Sequence, residues 1–138
     1  MQIVLRNIAA FIAGAIIGSL VNMGLILIGS NLVPPPAGAD MSDLEKLRAS
    51  IHLFEPRHYL FPFLGHAGGA FIGGLVAYVI AGSRRMTFAI SVSALFLIGG
   101  IINAIILPAP PWFLALDLLV AYLPMGWAAG TLGRKIQR

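Results

Sequence analysis

Four apolar runs fill most of this chain, and each is long enough to cross a lipid bilayer. They cover residues about 8–33, 58–82, 86–107 and 112–132, where a membrane-spanning helix needs about 20 apolar residues. Within a bilayer every backbone polar group must be satisfied inside the protein, which leaves helices or closed barrels. A barrel needs segments of about 10 residues with alternating polarity, and the chain has none. The expected fold is therefore all-α: an integral membrane bundle of four transmembrane helices forming one domain over residues 1–138. Composition agrees, with 59% hydrophobic and 10% charged residues, against about 25% charged in a soluble domain. The absence of cysteine excludes disulfides and thiolate chemistry.

The first run is too long for the hydrophobic region of a signal peptide, which has about 7–15 residues, so it is expected to be retained. Pro34-Pro35-Pro36 stops it, because proline lacks the N–H and clashes with the preceding turn. Residues 37–56 form the long polar connection. Ser42 and Glu45 have the spacing of a capping box. Leu44, Leu47, Ile51 and Phe54 follow at helical intervals, which predicts a short amphipathic helix over residues about 43–54, on the membrane surface or over the mouth of the bundle. Pro62 should distort the first turns of the second span, and Pro124 should interrupt the fourth. Trp112, after a proline-rich turn, suits the membrane interface.

Charge sets the expected orientation. The net charge of +4 is no sign of a nucleic-acid partner, because the basic residues cluster at segment ends. Arg6, Arg84, Arg85, Arg134, Lys135 and Arg138 all fall on one side of a four-span layout. By the positive-inside rule both termini are then cytoplasmic, in the cell (inner) membrane, and the long connection faces outward.

Small residues recur inside the spans. Gly65, Gly69 and Gly73 are spaced by four, as in helices that approach backbone to backbone. GAIIGSLV at residues 14–21 is echoed by GAFIGGLV at residues 69–76. Two similar packing faces explain this echo better than an inverted repeat.

Asp117 is the one acidic residue inside a span. A charge at mid-membrane is unfavourable by at least about 2.5–3.5 kcal/mol, so it needs a partner, a proton or water. At about 1.5 Å per residue, Asn22, His66 and Asn103 fall with Asp117 in the same outer half of the bundle. Asn22, His66 and Asp117 each lie on a small-residue face. These four residues are the candidate ligand- or proton-binding site, with Asp117 and His66 as the titratable pair. Gly126 and Gly130 lie roughly opposite Asp117 on the fourth span, which suits the contact of a homo-oligomer. His52, Glu55 and His58 offer metal-ligand atoms, although Pro56 breaks their register and zinc needs three or four converging ligands. No catalytic, phosphate-loop or cofactor motif is present.

The runs VNMGLILIG, HLFEPRHYLFPFLGHAGGAFIGG and LDLLVAYLPMGW resemble a family of small uncharacterised four-span bacterial membrane proteins. The resemblance implies four helices and no known activity. The first span lacks the acidic residue of small multidrug transporters, and the paired phenylalanines typical of fluoride channels are also missing. The leading expectation is binding or translocation of a small solute or ion through an outward-facing polar cavity. The rivals are an accessory subunit of a larger membrane assembly and a metal-binding membrane enzyme.

Overall fold

The computed structural model describes residues 1–137, so Arg138 lies outside the described residues. In order the helices are α1 (Gln2–Leu32), α2 (Leu44–Ser50), α3 (Leu60–Ile80), α4 (Arg85–Ile106), α5 (Pro111–Val120) and α6 (Leu123–Ile136). Short 3-10 turns, Ile51–Leu53 and Pro56–Tyr59, lead from α2 into α3. Four stretches are long and apolar enough to cross a membrane: Gln2–Leu32, Pro56–Ile80, Arg85–Ile106 and Pro111–Ile136. This is the make-up of a multi-pass membrane protein. The side chains agree, because large aliphatics such as Ile16, Leu20, Ile105 and Leu119 face outward. Much of the interior is small, with Ala10, Ala70, Ala77, Ala89 and Ala129 fully buried.

Glycine pairs fix how α1 crosses α3. A Cβ on Gly14 would lie 2.6 Å from the Gly73 carbonyl oxygen, and one on Gly73 2.6 Å from that of Gly14. One turn along, a Cβ on Gly18 would lie 2.6 Å from the Gly69 carbonyl, and one on Gly69 2.8 Å from that of Gly18. These distances admit no side chain, so the backbones touch. The two echoed octapeptides are thus the two sides of one antiparallel contact.

The end of α3 is held from three directions. Arg6 donates from Nε and Nη2 to the Ile80 carbonyl at 3.3 and 3.1 Å, and Arg85 Nε donates to the Ala81 carbonyl at 3.1 Å. Asn7 Oδ1 accepts from the Gly82 and Ser83 amides, while its Nδ2 donates to Ser83 Oγ. Arg85 also donates to Gln137. A helix ends with carbonyls that lack intrahelical donors, and here basic side chains supply some of them. The beginning of α1, the α3–α4 turn and the end of α6 therefore meet at one end of the bundle.

Three local details differ from the sequence pattern. The N-cap of α2 is Asp43, whose Oδ1 accepts from the Lys46 amide at 2.8 Å, and not Ser42. The reason is at hand: the Ser42 amide donates to Asp40 Oδ1, and Ser42 Oγ accepts from Lys46 Nζ. The hydrogen bonds to Ser42 hold the Asp40 carboxyl below its ordinary pKa. Second, Pro62 falls in the first turn of α3, where a missing N–H has no helical acceptor to lose. The distortion precedes it, as the 3-10 turn.

The third difference corrects the proposed oligomer contact. Gly126 and Gly130 are buried within the protomer. A Cβ on Gly126 would collide with Ser93 of α4, and one on Gly130 with Met86. Their expected outward position carried the helical register straight across Pro124. The break between α5 and α6 turns the buried face from Phe113 and Asp117 above to Gly126, Ala129, Gly130 and Gly133 below.

Candidate functional site

The break in the fourth span follows from local chemistry. Pro124 has no N–H to give the Val120 carbonyl, so an α-helix cannot run through unchanged. The chain stops at Val120 and restarts at Leu123, with Tyr122 at φ −118°, ψ −84° between the two. Tyr122 is 1% exposed, because the break turns its side chain into the bundle.

Asp117, on α5, is 4% exposed. Its Oδ1 lies 2.9 Å from His66 Nδ1 and its Oδ2 3.0 Å from the same atom. The Tyr122 hydroxyl donates to Oδ2 at 3.0 Å. A carboxylate only accepts, so if Asp117 carries its charge His66 donates from Nδ1, and in a neutral ring Nε2 then holds the free lone pair. The His66 and Tyr122 rings stack with centroids 5.7 Å apart. Both oxygens of the buried acid thus have donors, and His66 is the more accessible partner, at 15% side-chain exposure against 5%.

These groups border a cavity of about 610 Å³, and so do Asn22 and Asn103. All four residues singled out in the sequence therefore face one space, but only two of them bond. Asn22 packs on α3, where a Cβ on Gly65 would lie 2.8 Å from its Oδ1. That oxygen is buried and has no protein partner. Asn103 is exposed at the cavity edge. Between them the walls are mostly apolar, with Ile26, Leu95, Phe96 and Leu114.

The far end of the cavity is lined by the long connection, through Met41, Leu47, Ile51 and Phe54. His58 and Tyr59 also border the cavity there, packed in an aromatic cluster with Phe54, Trp112 and Phe113. His58 Nδ1 accepts from the Glu55 amide at 2.9 Å.

Sequence reasoning missed Tyr122. It lies five residues after Asp117, about 140° around a continuous helix, and only the break brings it onto the acid. A hydroxyl-bearing aromatic two positions before a helix-interrupting proline was the available signal. His58 and Tyr59 also enter the cavity, whereas the metal grouping of His52, Glu55 and His58 does not form. His52 is exposed, Glu55 pairs with Arg57 at 3.0 Å, and His58 spends one ring nitrogen on the backbone. Among the described residues no three potential metal ligands converge.

The sequence matches no family model, no curated protein and no solved structure. The functional reading therefore rests on the cavity itself.

Proposed function

We propose that this protein is a multi-pass protein of the cell (inner) membrane that binds or translocates a small solute through the cavity. Both termini would be cytoplasmic and the cavity would lie in the outer half of the bundle. One observation carries the reading: a nearly fully buried carboxylate, Asp117, held by His66 and Tyr122 at the border of a cavity of about 610 Å³. Ionisable groups inside membrane bundles mark solute or proton pathways more often than they serve packing. The volume falls within the about 300–1,000 Å³ typical of small-molecule sites, which are mostly apolar with a few placed polar groups. A bare hard cation suits the space less well, because such ions take about six or more oxygen ligands, and Asp117 is the one carboxylate on the wall.

The purified protein in lipid nanodiscs, screened against a library of small solutes by thermal shift, tests this. Solutes that stabilise it should bind Asp117→Asn and His66→Gln about tenfold more weakly, while the unliganded melting temperature changes by only a few degrees. A library with no stabilising solute, or equal binding to the variants, refutes the reading.

A further inference from the structure

The cavity wall has fixed charge of one sign only. Asp117 is its one carboxylate, and no lysine or arginine borders it. Its titratable groups are Asp117 on α5, His66 on α3, Tyr122 in the helix break, and His58 and Tyr59 in the 3-10 turn before α3. Helices α1 and α4 bring Ser19, Asn22 and Asn103, which are neutral. The carboxylates, lysine and arginines of the long connection, from Asp40 to Arg57, are all exposed.

His66 is the group placed to change the charge of this wall. Its Nδ1 meets both Asp117 oxygens, at 2.9 and 3.0 Å. Its Nε2 takes no protein partner and, unlike His58 Nε2 and the Tyr59 hydroxyl, is not sealed off. The two residues therefore gain and lose a proton as a pair. With the imidazole neutral and the acid ionised, the pair carries one net negative charge. With one proton more it carries none. Imidazoles make this change between about pH 5 and 8. A net charge beside apolar walls inside a membrane is unfavourable, so the negative state calls for a cation in the cavity and the neutral state does not. A cation and the added proton thus answer the same charge, and each weakens binding of the other.

The walls narrow the kind of cation. A metal ion finds too few ligands, since no three potential metal ligands converge among the described residues. The lining instead carries the rings of Phe54, Tyr59, Phe96, Phe113 and Tyr122 among aliphatic side chains. Aromatic faces attract cations through their quadrupole, and quaternary ammonium groups are recognised in this way. Such an ion carries its charge under an apolar surface and has no N–H to place. It therefore leaves Asp117 with His66 and Tyr122 and is drawn by the charge of the pair through space. The cavity of about 610 Å³ is in the size range of small-molecule sites.

We propose that the cavity takes a monovalent organic cation of the quaternary ammonium kind in exchange for one proton of the His66–Asp117 pair. The proton leaves His66 Nε2 for water as the cation enters, so the charge balances and only that N–H bond breaks. This rests on the reading that the cavity holds a small solute, and it adds the solute's charge and its coupling to pH. Benzyltrimethylammonium and its neutral carbon isostere, neopentylbenzene, test it by calorimetry in nanodiscs, with empty nanodiscs as the blank. Above about pH 8 the cation should bind about tenfold more tightly than the isostere. On the acid side its affinity should fall about tenfold per pH unit, and buffers of different ionisation enthalpy should report one proton released per cation. Asp117→Asn, checked for folding by its melting temperature, should weaken the cation about tenfold or more and leave the isostere unchanged. His66→Gln should flatten the pH dependence. If the two probes bind the native protein alike, or the cation's affinity is flat between about pH 5 and 8 with no proton released, the inference falls. If the isostere alone binds, the inference falls and the reading of a solute cavity stands. If neither binds, the inference also falls, and the broader reading is decided by the solute library.

Discussion

Tyr122 shows how one side chain can complete a buried acid. Asp117 takes two donors, and the second exists only because the helix breaks five residues later. In Tyr122→Phe the ring should keep its stack on His66, while Asp117 Oδ2 loses its phenolic partner. The expected loss of stability is about 1–3 kcal/mol, read from denaturation in detergent. Unchanged stability would mean that water replaces the hydroxyl without penalty. The pairing of Asp117 with His66 was legible in the sequence, because intramembrane acids are rare and both residues sit at similar depth on adjacent small-residue faces. The third member was not legible, because helical periodicity assumes the continuity that Pro124 removes. Asn22 and Asn103 were legible as neighbours of the cavity, but periodicity gives depth and face without saying which polar atoms meet.

At the level of helices, the contact of α1 with α3 is the most exacting in the molecule. Alanine at Gly14 or Gly73 would press a methyl group against a backbone carbonyl that cannot move aside. Overpacking of this kind is unfavourable by about 1–3 kcal/mol, and leucine should be worse. Gly24 and Gly99 provide the control, since a Cβ on either meets nothing within 4 Å. Alanine there should be neutral or stabilising, by up to about 1 kcal/mol of helix propensity. Melting temperatures of Gly14→Ala, Gly73→Ala, Gly24→Ala and Gly99→Ala should separate into those two classes. A uniform response would show that the helices are free to slide apart. The same logic revises what Gly126 and Gly130 do. Gly126→Leu should unfold the protomer through its clash with Ser93, and so act on stability before any association between copies. The glycine spacing announced close packing in the sequence. Which helix each glycine meets depends on three-dimensional order, and for Gly126 the break reversed the expected side.

For the whole molecule, polarity runs from one end of the bundle to the other. Arg6, Arg84 and Arg85 cluster where α1 begins and α3 ends, joined through the Arg6–Ile80 and Arg85–Ala81 hydrogen bonds. Arg134 and Lys135, in the last turn of α6, come to the same end, since Gln137 bonds to the Val79 carbonyl and to Arg85. The opposite end carries Asp40, Asp43, Glu45 and Glu55 with Lys46, Arg48 and Arg57. Lys46 lies 3.4 and 3.6 Å from Asp40 and Asp43, and Arg57 pairs with Glu55. These pairs are exposed, so they add little stability, but they leave that end with a slight acidic excess. The proposed orientation draws on this asymmetry, since the positive-inside rule puts the basic end toward the cytoplasm. In that orientation the end of the cavity lined by Met41 and Phe54 would face outward, where a solute would first meet the protein. Because the chain has no cysteine, single introduced thiols report cleanly. Ala37→Cys at the loop end and Gln2→Cys at the basic end are both exposed. In intact cells an impermeant thiol reagent should label Cys at position 37 and not at position 2, and permeabilisation should make both reactive. Labelling at position 2 alone would invert the molecule and place the loop end of the cavity on the cytoplasmic side.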